Sequence, residues 1–269
     1  MEFRYYNNKR LIALSVPILV LLAITTLIIG NLAPQNVYSH ANPISYMPPS
    51  NSVVGVNGTI PEKVIIVFSE RPEPKASYIR VTNPENERVD KNDFAVSANN
   101  PRESSVSLDT SKMNLGTYTV SWLALSRDDG HITKGSYVFT VSSGANATVS
   151  ESDTVVGNNF TDSIVVDNVN ITFKIIPFLS GINNNFTVSL SDMDGNPPTN
   201  INTVFLIFSN KQAGLGPISA ELANVDEGEY SGSGAYLSQP GRWEAKITVQ
   251  RINAYDLNHN FIFDIQNPP

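Results

Sequence analysis

The sequence predicts an all-β protein, with two immunoglobulin-like sandwich or barrel domains following an N-terminal signal or anchor segment. Three observations carry that expectation. Short runs rich in β-branched and aromatic residues alternate in polarity with a period of two. Gly, Pro, Asn and Ser clusters interrupt them roughly every 8–12 residues, the spacing of sandwich strands. No stretch repeats its apolar residues with the period of an amphipathic helix.

Composition narrows the function classes. The chain has 269 residues, a net charge of -7 and no cysteine. The charge argues against nucleic acid and against a polybasic membrane patch. Without cysteine there is no disulfide framework, so each domain relies on its own core. Zinc-finger and iron–sulfur readings fall for want of a thiolate.

Lys9 and Arg10 precede an uncharged apolar run over residues 11–33, and Val37-Tyr38-Ser39 supplies acceptable residues for cleavage before His40. A basic start, an apolar run and small residues at a boundary make an export signal. The run is also long enough to span a bilayer, which takes about 20 residues. Residues 1–39 are therefore read either as a signal peptide or as an uncleaved N-terminal membrane anchor. Both place the rest of the chain outside the cytoplasm, in a periplasm-like space or at the cell surface. The Asn-x-Ser/Thr matches at Asn57, Asn146, Asn159, Asn170 and Asn185 are compatible with export.

The first domain spans residues 40–143. A turn at Pro48-Pro49-Ser50-Asn51-Ser52 leads to a β-branched strand over 63–69, which Pro72 and Pro74 end because proline cannot continue a ladder. Residues 77–82 read as a strand, Asn83-Pro84-Glu85-Asn86 as a turn and residues 104–108 as another strand. Leu115-Gly116 turns into a strong strand ending at Trp122, with Tyr118 and Trp122 expected in the core. The last strand follows Ser126-Arg127-Asp128-Asp129-Gly130-His131, with Tyr137, Phe139 and Val141 on one face.

That last segment carries the candidate chemistry. Asp129 and His131 are two apart, so an extended backbone points them the same way. A carboxylate and an imidazole on one face make half of a metal site. The remaining histidines are His40 and His259; His259 lies in a polar stretch, 256–260, read as a surface turn.

Over residues 40–143 these motifs together resemble the CopC copper-binding domain. The match rests on His40-Ala41 with Pro48-Pro49 after it, on Val67-Phe68-Ser69-Glu70, and on the 115–122 run against L-x-G-T-Y-x-V-x-W with altered spacing. Asp129-Gly130-His131 with Gly135, Phe139 and Val141 fits D-G-H-x-x-x-G-x-x-x-F-x-V. Family members usually place one residue between the serine and Asp-Gly-His. Here Arg127 and Asp128 both intervene, which makes Asp128 a rival to Asp129.

The resemblance implies a Cu(II) site in which a mature N-terminal His40 binds through its α-amine and imidazole, with Asp129 and His131 completing the donors. Glu70 would stand behind them, orienting the His40 end. Nitrogen and oxygen donors suit Cu(II), whereas Met1, Met47, Met113 and Met193 are too dispersed for a Cu(I) thioether cluster. The implied function is an exported Cu(II) carrier or buffer in copper homeostasis or resistance, handing copper to a membrane transporter or a secreted copper enzyme. It is not an enzyme. Two alternatives stand beside it. One is a histidine-brace copper monooxygenase, against which a ligating Asp129 fills a position that oxygen needs. The other is a metal-free surface adhesion or interaction protein.

A polar linker, residues 144–156, leads to a second domain over 157–269. Strands are expected at 169–176, 185–190, 203–209, 229–232, 241–251 and 261–265, with a turn at Asp194-Gly195-Asn196-Pro197-Pro198. Gly228-Glu229-Tyr230 and Gly241-Arg242-Trp243 resemble the YtkA-like or FixH-like domains found after CopC in some copper-uptake proteins. The multi-helix CopD domain that commonly separates them is missing, so the resemblance implies no transport activity. No metal-ligand cluster is read in this domain.

Overall fold

The computed structural model describes residues 40–55, 59–143 and 159–269. The expected signal or anchor, the linker and the Asn57 and Asn146 motifs lie outside those residues. The part beginning at His40 is one compact unit with two hydrophobic cores.

The first domain is a sandwich of eight strands: β1 (Pro43–Met47), β2 (Ser52–Val54), β3 (Lys63–Phe68), β4 (Tyr78–Thr82), β5 (Ala95–Val96), β6 (Glu103–Ser107), β7 (Gly116–Leu125) and β8 (Ile132–Val141). They form two four-stranded sheets, ordered β1-β3-β6-β5 and β2-β8-β7-β4. Alternation puts Val64, Ile66 and Phe68 of β3 against Tyr118, Val120 and Trp122 of β7, all buried. Trp122 meets Phe68 edge-on with ring centroids 5.6 Å apart, and Tyr118 stacks on Phe139 at 5.4 Å. β2 pairs with β8 only along Phe139–Val141, so the early part of β8 keeps one open edge.

The second domain holds β9 (Phe160–Val166), β10 (Val169–Ile176), β11 (Asn184–Asp192), β12 (Ile201–Asn210), β13 (Leu215–Asp226), β14 (Glu229–Gly234), β15 (Gly241–Arg251) and β16 (Leu257–Ile265). These make one sheet ordered β16-β15-β12-β13-β14-β11-β10-β9. The sheet curls until its two ends meet: Phe160 of β9 lies 4.9 Å from Phe263 of β16, and Leu179 bridges to Gln266. The result is a nearly closed barrel, which removes most of the edge that an open sheet would expose.

His259 corrects the sequence reading. It sits inside β16 opposite Ile247, with its ring 4.7 Å from and edge-on to Phe261. Leu257 and Phe261 point inward and the polar Asn258 and Asn260 outward, so the polar stretch is the solvent face of a strand.

The outer face of β7 and β8 is covered by the second domain. Val138 is fully buried and belongs to the second core. Around it Thr119 and Ser238 hydroxyls pair at 2.7 Å, Thr117 donates to the Gly181 carbonyl at 2.9 Å, and Gln239 donates to the Asn83 carbonyl at 3.3 Å. Burying one valine contributes roughly 1.5–3 kcal/mol.

Candidate metal centre

His40 is held from both sides. Ala41 is fully buried, which fixes the chain just after it. The Ser69 hydroxyl donates to the His40 carbonyl at 2.6 Å and accepts from the Asn42 amide at 2.9 Å, while the Ser69 amide donates to the Asn42 carbonyl at 2.8 Å. Thr133 donates its hydroxyl to the Ala41 carbonyl at 2.6 Å. Thr133 belongs to β8, so one side chain ties the start of the domain to the strand that follows His131.

Asp129 and His131 come from a closed loop. The Ser126 amide donates to the His131 carbonyl at 2.9 Å and the Gly130 amide to the Ser126 carbonyl at 3.1 Å. Gly130 has φ +76°, a left-handed conformation that glycine adopts without steric cost. Asp129 accepts from the His131 amide through Oδ1 at 2.9 Å, an Asx turn. This turn, not strand parity, aligns the two side chains, because β8 begins only at Ile132.

The loop brings Asp129 between two imidazoles. His40 Nδ1 lies 3.1 Å and His131 Nδ1 3.0 Å from the same oxygen, Asp129 Oδ2. The two rings are 4.7 Å apart and tilted by 58°. One donor atom from each of the three residues lies within 4.8 Å of the others, the only such grouping of His, Cys, Asp and Glu among the described residues. Their side chains are 42, 24 and 63% exposed, so an ion can enter from solvent. The His131 amide, and secondarily the Ser126 hydroxyl, hold the Asp129 carboxyl below the usual carboxylate range. His259 lies in the other domain, away from this grouping.

Asp128 faces elsewhere. Arg71 donates to it from its amide at 2.9 Å and from Nε at 2.7 Å, and a terminal guanidinium nitrogen joins them. Arg71 also holds Asp128 ionised, well below its ordinary value. The extra residue in the loop is thereby pinned outward, leaving Asp129 beside the histidines.

Glu70 stands behind the Asp129 loop rather than at the His40 end. Its Oε2 accepts from the Ser126 hydroxyl at 2.5 Å, and the Ser126 oxygen in turn accepts from the Asp128 and Asp129 amides at 3.0 and 3.2 Å. Support for His40 falls instead to Ser69 and Thr133. Hydroxyls spaced 27 to 92 residues from their partners leave no local pattern in the sequence, so their roles went unread.

Comparison with known proteins agrees on the region. The CopC domain model matches residues 45–142. Protein YobA of Escherichia coli is 33% identical over 111 residues, covering 41% of this chain and 86% of YobA, and the Shigella flexneri protein of the same name gives the same figures. Among solved structures, CopC from Methylosinus trichosporium is 28% identical, covering 38% of this chain and 93% of that one, with a TM-score of 0.34. PcoC from Escherichia coli, a methionine-rich copper resistance protein, is 30% identical, with 38% and 99% coverage and a TM-score of 0.32.

Proposed function

The chain belongs to the CopC domain family, and from that premise we propose that it is an exported protein that carries or buffers Cu(II) through His40, Asp129 and His131. The family makes the function copper-related; its members are copper-binding resistance proteins rather than enzymes. The observation that carries the finer reading is the convergence of two imidazoles and one carboxylate on a shared point at the domain surface.

The chemistry of that donor set supports Cu(II). Imidazole nitrogen and carboxylate oxygen favour it, while no thiolate is available and the four methionines are dispersed along the sequence. In the metal-free arrangement a ring N–H can donate to Asp129 Oδ2 from either side. A cation binds imidazole through a deprotonated nitrogen, so it competes with those protons. Cleavage before His40 would add an α-amine to the set, and the amine and ring of one residue form a chelate. The carboxylate is already anchored by backbone and hydroxyl donors, so little ordering remains to be done on binding.

Copper held this openly suits hand-over to a membrane copper transporter or a secreted copper enzyme. The second domain, read as YtkA-like or FixH-like, buries the outer face of β7 and β8 and leaves the three donors free. Competition titration with one chelator for Cu(II) and one for Cu(I) tests the assignment. One Cu(II) per chain, bound more tightly than Cu(I), is expected; tighter Cu(I) binding overturns it.

A further inference from the structure

The Asn-x-Thr motifs at Asn159, Asn170 and Asn185 fall on described residues, and the fold gathers them on one surface. They lie on β9, β10 and β11, which are neighbours in the sheet. Alternation packs the middle residue of each motif, Phe160, Ile171 and Phe186, into the barrel core. The asparagine and threonine on either side of it therefore both face outward.

The register aligns them. Asn185 pairs with Ile176 of β10, and Ile175 pairs with Phe160 of β9, which puts Asn159 at the far end of the same row. In the next row Thr187 and Thr161 flank Lys174. Ser189, Thr172 and Ser163 make the third, with the Thr172 and Ser163 hydroxyls 2.9 Å apart. Ser191, Asn170 and Val165 make the last. Lys174 is the only charged residue in these four rows, whereas about 25–35% of an ordinary surface is charged. Amides and hydroxyls wet this face instead, and they are groups that hydrogen-bond to sugar hydroxyls without placing a charge beneath them.

Asn159 and Asn185 are exposed and Asn170 is half-buried. Asn184 gives the contrast. It is fully buried, and its amide donates to the Leu179 and Ile182 carbonyls at 2.9 and 3.0 Å. Asn184 belongs to no motif; Asn185, one residue on and facing the other way, does.

We propose that Asn185, with Asn159 beside it, is an N-linked glycosylation site, and that sugar covers the outer face of β9, β10 and β11. This rests on the export reading, since the donor would be a lipid-phosphate-linked oligosaccharide met outside the cytoplasm. The Asn185 Nδ2 bonds to the anomeric carbon of the sugar. The bond from that carbon to the phosphate oxygen breaks, the lipid phosphate leaves with the electron pair, and the amide gives up one proton. Transfer precedes strand pairing. Folding then leaves the sugar in solvent, because the inward side of the motif is Phe186.

The test uses full-length protein isolated from the extracytoplasmic fraction of its source cells. Trypsin cuts after Lys174 and Lys211, so Asn185 falls in a peptide, 175–211, that holds no other motif. Mass spectrometry should find that peptide heavier by an oligosaccharide, with sugar fragment ions. Asn185→Gln and Thr187→Ala should each return it to the bare mass, while Thr187→Ser should keep the addition. A bare peptide from exported wild-type protein overturns the proposal. An addition that survives Asn185→Gln is linked through another residue and overturns it too. A chain found only in the cytoplasm overturns the export reading, and this one with it.

Discussion

Asp128 and Asp129 are adjacent carboxylates with opposite surroundings. Arg71 encloses the first, while the second lies about 3 Å from both His40 and His131. Asp129→Ala and His131→Ala should therefore each weaken Cu(II) binding by more than about tenfold, the lower end of what even an orienting partner contributes. Asp128→Ala and His259→Ala should leave affinity within a few-fold, by the same chelator competition. A large loss on Asp128→Ala alone would mean that the loop register has been assigned one residue out. At this scale the sequence was informative about residue types and less so about their neighbours. The Asp-Gly-His pattern and His40 were visible as a motif. The choice of Asp129 over Asp128 was made on strand parity, whereas in the fold the two are separated by an arginine 57 residues from Asp128 that the sequence does not mark. Glu70 was placed at the wrong end of the site for the same reason: its partner, Ser126, is 56 residues distant.

Strands whose alternation is clean were legible to the residue. β10 and β15 begin and end where the pattern places them. β13 was missed although it has twelve residues, because Gly216-Pro217 interrupts its start and Ala223 to Asp226 are all exposed, leaving only Ile218 to Leu222 to alternate. β1, β2 and β5 are edge strands of five, three and two residues, too short to establish a period. The β7–β8 pair carries a sharper sequence constraint at Gly135, opposite Trp122. An alanine methyl there would sit 2.7 Å from the indole, so Gly135→Ala should destabilise the protein by about 1–3 kcal/mol as an overpacked core does. Urea unfolding should show a lower midpoint with an unchanged slope. An unaltered midpoint would show that the indole moves aside without cost.

The two β domains form one body, and this was the least legible feature. Alternation marks Val138 as outward-facing on β8, and only the folded chain shows that the outward face is the second domain's core. The whole molecule should also tolerate mild acid. Asp93, Asp109, Asp128, Asp129 and Asp192 are all held below the usual carboxylate range by hydrogen bonds, from Ser107, Ser111, Arg71, the His131 amide and the Asn196 amide respectively. Groups with depressed folded values stabilise the fold fully above the unfolded aspartate value of about 3.9, and the contribution is lost as pH falls through the folded values. The thermal midpoint should thus fall on acidification below about pH 4; a midpoint that rises between about pH 5 and 3 contradicts this. The central claim, that His40 binds Cu(II) through its own amine and ring beside Asp129 and His131, depends on the state of the mature chain. An amide nitrogen is a poor donor because its lone pair is delocalised into the planar peptide group. The most direct measurement compares the Cu(II) affinity of protein beginning at His40 with that of protein carrying one added residue before it. At least about a tenfold loss on extension is predicted, equivalent to 1.4 kcal/mol or more, and equal affinities would contradict amine ligation.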